Sequence, residues 1–229
     1  MPERRRRYRL LVFDWDGTLV DSTAIIAAAI QAACRDVGEP VPDDVAARFV
    51  IGLGLAEALA YVAPALPLER HPELSSRYRH HFLSRDPDIP LFDGVRELLA
   101  DLHAEGFLLA VATGKTRVGL DRALAGNALV ERFHATRCAD EGRPKPHPDM
   151  LLYLMEKLGV SPGETLMIGD TTFDMAMARN AGVRAIGVAW GYHPLAALRE
   201  AGADVIVEDA AAMLSEIARH AATINETTS

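Results

Sequence analysis

The sequence predicts an α/β protein: a parallel sheet with helices on both faces, interrupted once by an all-helical insertion. Two observations predict it. Short apolar runs alternate with amphipathic helical stretches along most of the chain, the pattern of a sheet covered on both sides. One interval, from about Thr23 to Ile89, breaks that rhythm with helical patterns and no convincing strand.

Taken in order, Leu10 to Phe13 reads as the first buried strand, stopped by Asp14 and Asp16. Ala24 to Val37 is an Ala/Ile-rich helix ending at Gly38. Val45 to Ala63 is a second helical region broken at Gly52 and Gly54, and Leu74 to Leu83 is a third. The α/β core resumes near Leu91. Asp93 is positioned to cap a helix that carries Val95, Leu98, Leu99 and Leu102 on one face, with Gly106 to end it. Phe107 to Ala112 is the next strand. Pro148 suits a first helical turn, Leu151, Leu154 and Leu158 share a face, and Gly159 closes that helix. Thr165 to Ile168 is a strand, Asp174 to Ala181 with Gly182 a helix, and Arg184 to Ala189 and Asp204 to Val207 are the last strands.

The chain has 229 residues, 49% hydrophobic and 24% charged, which suits an ordinary folded protein with a sizeable core. Its 32 acidic residues against 24 Lys and Arg leave a net charge of −8. Phosphate backbones and anionic membranes attract positive surfaces, so neither nucleic acid nor membrane is an expected partner. Cys34 and Cys138 lie far apart and form no CxxC pair, which disfavours a disulfide framework and fits a reducing, cytoplasmic setting. Arg4 to Arg7 resemble the basic start of a signal peptide, but the apolar run behind them is too short for one and reads as a strand. The sequon Asn225-Glu226-Thr227 lies in a polar tail and reads as a chance match.

Chemistry-bearing residues follow the strands. Asp14-Trp15-Asp16-Gly17-Thr18-Leu19 comes straight after the first one, where open parallel sheets bind ligands. Carboxylates that close repel unless a cation joins them or one holds a proton. Thr113 follows a strand and precedes Gly114 and a helix, so its hydroxyl and the next N–H groups can hold an anion. Lys145 is set between prolines in Arg143-Pro144-Lys145-Pro146-His147-Pro148, which presents a cation at low entropic cost. Gly169-Asp170-Thr171-Thr172-Phe173-Asp174 ends another strand and offers two carboxylates at a helix start.

In that order these segments resemble the four motifs of the haloacid dehalogenase superfamily, in its phosphoglycolate-phosphatase-like branch, and the resemblance runs from Leu11 to about Ile217. It implies a Rossmann-like core of residues 1–21 and 90–229 and a helical cap of residues 22–89. It implies an Mg²⁺-dependent phosphatase acting on a small phosphorylated metabolite such as a phosphoglycolate-like monoester. Asp14 would be the nucleophile and Asp16 the acid–base. Thr113, Gly114 and Lys145 would hold the phosphoryl group. Asp14, the Asp16 carbonyl and Asp170 would ligate the metal, with Asp174 orienting a ligand water or Lys145. Asp16 separates the chain from the dehalogenases, which lack an acid there, and from the phosphonoacetaldehyde hydrolases, which carry Ala. Gly17-Thr18 and the absence of His from Ser22 to Val37 separate it from β-phosphoglucomutase-like relatives. A phosphomutase, a pyrophosphatase and a phospho-ligand-binding module without turnover are the alternatives. Oligomeric state is not legible.

Other features read as structural. Gly52-Leu53-Gly54 lacks the preceding strand of a dinucleotide site and suits a cap loop near the substrate. His80 and His81 diverge on a helix. His147 and His193 belong to loops that can edge the cleft, Trp15 to the core, and Arg48 to a solvated helix face or an anion contact.

Overall fold

A computed structural model describes residues 7–86 and 89–222. Arg4 to Arg6 and the sequon at Asn225 lie outside the described residues. Six parallel strands, β1 (Leu10–Phe13), β2 (Leu108–Thr113), β3 (Ala135–Cys138), β4 (Thr165–Gly169), β5 (Arg184–Val188) and β6 (Val205–Val207), form one sheet in the order β3-β2-β1-β4-β5-β6. This is the doubly wound order, and its topological switch lies beside β1. Phe13 pairs in register with Val111 on one side and Ile168 on the other. Asp14, Thr113 and Asp170 therefore emerge at the same edge of the sheet.

Side chains alternate along β1. Leu11 and Phe13 join a core with α5 (Val95–Ala104), α6 (Arg117–Gly126) and α10 (Ala210–Ala222). Leu10 and Val12 join another with α7 (Asp149–Leu158), α8 (Thr172–Asn180) and α9 (Leu195–Ala201). Burial on both faces is why these strands read as continuous apolar runs.

The interval after β1 is helical: α1 (Thr23–Asp36), α2 (Asp44–Phe49), α3 (Leu55–Val62) and α4 (His71–Leu83). They enclose a core of their own, built on Ile30, Ala33, Cys34, Leu59 and Leu74. The two chain segments that join this bundle to the sheet run together. Val20 bridges Leu91 antiparallel, the Asp21 N–H donates to Pro90 O at 3.0 Å and the Phe92 N–H to Leu19 O at 3.0 Å.

Two expectations are corrected. Asp93 does not cap α5; Gly94, at φ +75°, occupies the N-cap position without a side-chain bond. Strand β3, one of the two edge strands, differs from expectation because Thr136 and Arg137 interrupt its apolar pattern. Among the described residues no helix is long and apolar enough to cross a membrane.

Candidate active site

The residues singled out in sequence converge beyond the carboxyl ends of β1 and β4. Asp14, the first residue after β1, is buried. Lys145 reaches it from the loop before α7, with Nζ 2.8 Å from Asp14 Oδ1 and 2.6 Å from Asp174 Oδ1. Asp174 sits in the first turn of α8, where Thr171 caps the helix. Its Oδ2 accepts from the Thr171 hydroxyl at 2.7 Å and the Thr171 N–H at 3.0 Å. One carboxylate thus closes a capping box with one oxygen and holds Lys145 with the other. Asp170, at the end of β4, accepts from the Thr18 hydroxyl at 2.9 Å and the Tyr192 N–H at 3.2 Å.

Thr113 and Gly114 end β2 beside these groups. Thr113 is fully buried, and its Oγ1 accepts from the Lys115 N–H at 3.2 Å. Gly114 presses against the carbonyls of Gly52 and Leu53, so the α2–α3 loop of the helical bundle is seated on the sheet's edge. Asp16 stands apart from the carboxylate cluster. Its Oδ1 accepts from the Ser22 hydroxyl at 2.7 Å and lies 3.1 Å from Lys115 Nζ. Lys115 in turn sits 4.7 Å from the Phe82 ring centroid, on α4. Sequence reasoning missed Lys115. Its adjacency to Gly114 was the available signal, but nothing local joins it to Asp16.

Charge in the cluster is unbalanced. Three buried carboxylates, Asp14, Asp170 and Asp174, offer oxygens within 4.8 Å of one another, against one buried lysine. Burial raises Asp14 well above the usual carboxylate range. Lys145 opposes that rise, and Asp174 and Asp170 add to it. Asp170 is pushed up to about 7, first by burial and then by Asp174. Lys145 stays firmly charged: burial opposes its charge, and the two carboxylates outweigh it. Asp14 Oδ2 is buried without a hydrogen-bond partner. An orphaned carboxylate oxygen in an acidic, oxygen-rich cluster fits a hard divalent cation such as Mg²⁺.

Gly17, at φ +81°, packs against the Asp170 carboxylate so closely that a Cβ would collide with it. Gly191 packs on Asp170 in the same way. Trp15 is buried in the core. Trp190 Nε1 donates to Thr18 O at 3.1 Å. Arg48 pairs with Asp44 at 2.8 Å and lies over the Tyr192 ring. His193 is buried and joins the bundle to the sheet. Its Nε2 bonds Phe49 O at 3.1 Å, its ring stacks on Phe49 with centroids 5.3 Å apart, and its Nδ1 accepts from the Thr172 N–H. A cavity of about 440 Å³ opens between sheet edge and bundle, with Asp14, Asp16, Gly114 and Lys115 at its walls.

Residues 11–188 match the family described as haloacid dehalogenase-like hydrolase. A probable phosphatase, IndB, of Dickeya dadantii (strain 3937) is 40% identical over 205 residues, spanning 87% of this chain and 89% of that protein. A phosphoglycolate phosphatase of Vibrio vulnificus (strain CMCP6) is 31% identical, spanning 93% of this chain and 97% of that one. The crystal structure of a predicted phosphatase from Clostridium acetobutylicum superimposes with a TM-score of 0.83 at 27% identity, covering 93% of this chain and 99% of the other. Related along most of its length in both sequence and structure, the chain belongs to the haloacid dehalogenase-like hydrolase family.

Proposed function

We propose that the chain is a cytoplasmic, Mg²⁺-dependent phosphatase that hydrolyses a small phosphorylated metabolite through an aspartyl-phosphate on Asp14, beneath a cap formed by residues 22–89. The observation that carries this reading is the cluster itself: Asp14 is buried beside Lys145, and its Oδ2 is left without a partner.

Attack by a carboxylate on a phosphate dianion meets Coulomb repulsion, so the site must concentrate positive charge. Asp14 Oδ2 and Asp170, with the Asp16 carbonyl, would hold Mg²⁺, which supplies the charge that lets an anionic nucleophile approach phosphorus. Lys145 neutralises the oxygens of the phosphoryl group and the nucleophile. Thr113 and the Gly114 N–H bind a further phosphoryl oxygen. Asp14 displaces the alcohol in line, and Asp16 gives the departing oxygen its proton. Asp16 then takes a proton from the water that cleaves the aspartyl-phosphate. Asp174 fixes the Lys145 ammonium from behind.

The test is phosphate release from phosphomonoesters, phosphoglycolate included, with and without Mg²⁺. Wild type should release phosphate only with the metal. Asp14→Asn should lower kcat by at least about 10³-fold while leaving the circular dichroism unchanged. Isomerised product with little free phosphate would indicate a mutase, preferred cleavage of pyrophosphate a pyrophosphatase, and saturable binding without turnover a binding module.

A further inference from the structure

The cavity above Asp14 and Asp16 has a chemical character of its own. Away from the carboxylates and cations its walls are largely apolar, with Ile30, Ala58, Phe82 and Val118 contributed by α1, α3, α4 and α6, and Val50 and Ile51 by the seated loop. Val50, Ile51, Ile30 and Phe82 are otherwise buried, so this surface is wall rather than solvent-facing exterior. Two of the three cations along it are paired. Lys115 lies 3.1 Å from Asp16 and Arg122 lies 3.3 Å from Asp86, while Arg79 is exposed on α4. A second anionic group on the substrate would therefore enter an apolar chamber with no uncommitted buried cation to meet it, at a substantial desolvation cost. A volume of about 440 Å³ is also far more than a two-carbon acid fills.

Resting on the phosphatase reading above, we infer that the substrate is a monoester of an alcohol larger than two carbons whose body is uncharged and largely apolar. That body would lie between Ile30 and Phe82, with its phosphate on Asp14. Phe82 would then contact the apolar body as well as the Lys115 ammonium, which lies 4.7 Å from its ring centroid.

Unbranched primary alkyl phosphates test this directly, because their leaving alcohols have nearly equal basicity and differences in kcat/KM report contact with the wall. Ethyl, butyl and hexyl phosphate are compared with phosphoglycolate under saturating Mg²⁺. The expected result is a rise of about three- to fourfold in kcat/KM for each added methylene, with phosphoglycolate at or below ethyl phosphate. A flat alkyl series, or phosphoglycolate at or above hexyl phosphate, would overturn the inference and leave the phosphatase reading intact. If no ester, hexyl phosphate included, released phosphate faster from wild type than from Asp14→Asn, the phosphatase reading itself would fail. Val118 is 76% exposed at the cavity rim, so Val118→Arg tests the wall without risk to the core. It should lower the hexyl-to-phosphoglycolate ratio of kcat/KM at least tenfold. An unchanged ratio would mean that the leaving group does not lie along this wall.

Discussion

Gly17 shows how much of the site depends on a missing side chain. Its positive φ and its contact with the Asp170 carboxylate impose separate penalties on any other residue. Gly17→Ala should therefore lower the unfolding free energy by more than about 3 kcal/mol in urea titrations. Gly159→Ala, at φ +64° with open space around it, should cost only about 1 kcal/mol. Lys115 carries the second prediction at this scale. Lys115→Met should lower kcat roughly tenfold with little change in KM, since it removes the partner of Asp16 rather than a phosphate contact, and Lys115→Arg should restore part of the loss. Asp14, Thr113 and Asp170 were legible because each stands at a strand end, and Lys145 because prolines flank it. The Lys115–Asp16 pair was not, because only the pairing of β1 with β2 brings those segments together.

At the scale of elements, the strongest apolar runs were readable and one of the two edge strands, β3, was not. The strands at β1, β2, β4, β5 and β6 stand within a residue or two of where hydrophobic pattern puts them, because their residues are nearly all apolar and leave no polar alternation to mislead. Strand β3 failed that test: Arg137 on it lies over the Tyr153 ring and Thr136 accepts from Arg117, so tertiary contacts stand in for an apolar pattern. The α5 start failed for a different reason: the helix begins one residue later than expected, with Gly94 in a left-handed conformation at the N-cap and no side-chain cap bond. The join between bundle and sheet depends on a neutral His193, whose Nδ1 accepts from Thr172 while Nε2 donates to Phe49 O. Burial holds its pKa below the ordinary 6.5. At this one site the unfolded chain binds more protons than the folded one as pH falls through about 6.5, so the stability that His193 contributes is lost below that pH, while the raised Asp14 and Asp170 act in the opposite sense. The carboxylates are common to both proteins, so the urea midpoint of wild type should fall relative to that of His193→Gln between about pH 7 and about pH 5.

At the scale of the whole molecule, the architecture was legible because α/β alternation and its single interruption are long-range patterns that no one residue controls. The balance of charge at the centre was not, since it depends on how deeply three acids are buried together. That balance predicts a metal response. Mg²⁺ should raise Tm by binding only the folded cluster. Asp170→Asn should raise the metal-free Tm by relieving repulsion and should abolish the increment, as read by thermal unfolding with and without EDTA. The paired segments at Val20 and Leu91 have one more consequence. Two tethers laid side by side work like a door hinge, permitting rotation about a single line and resisting twist and slide. A bundle so tethered would lift from the sheet's edge as one piece, and entry to the chamber and exit from it would both use that one opening.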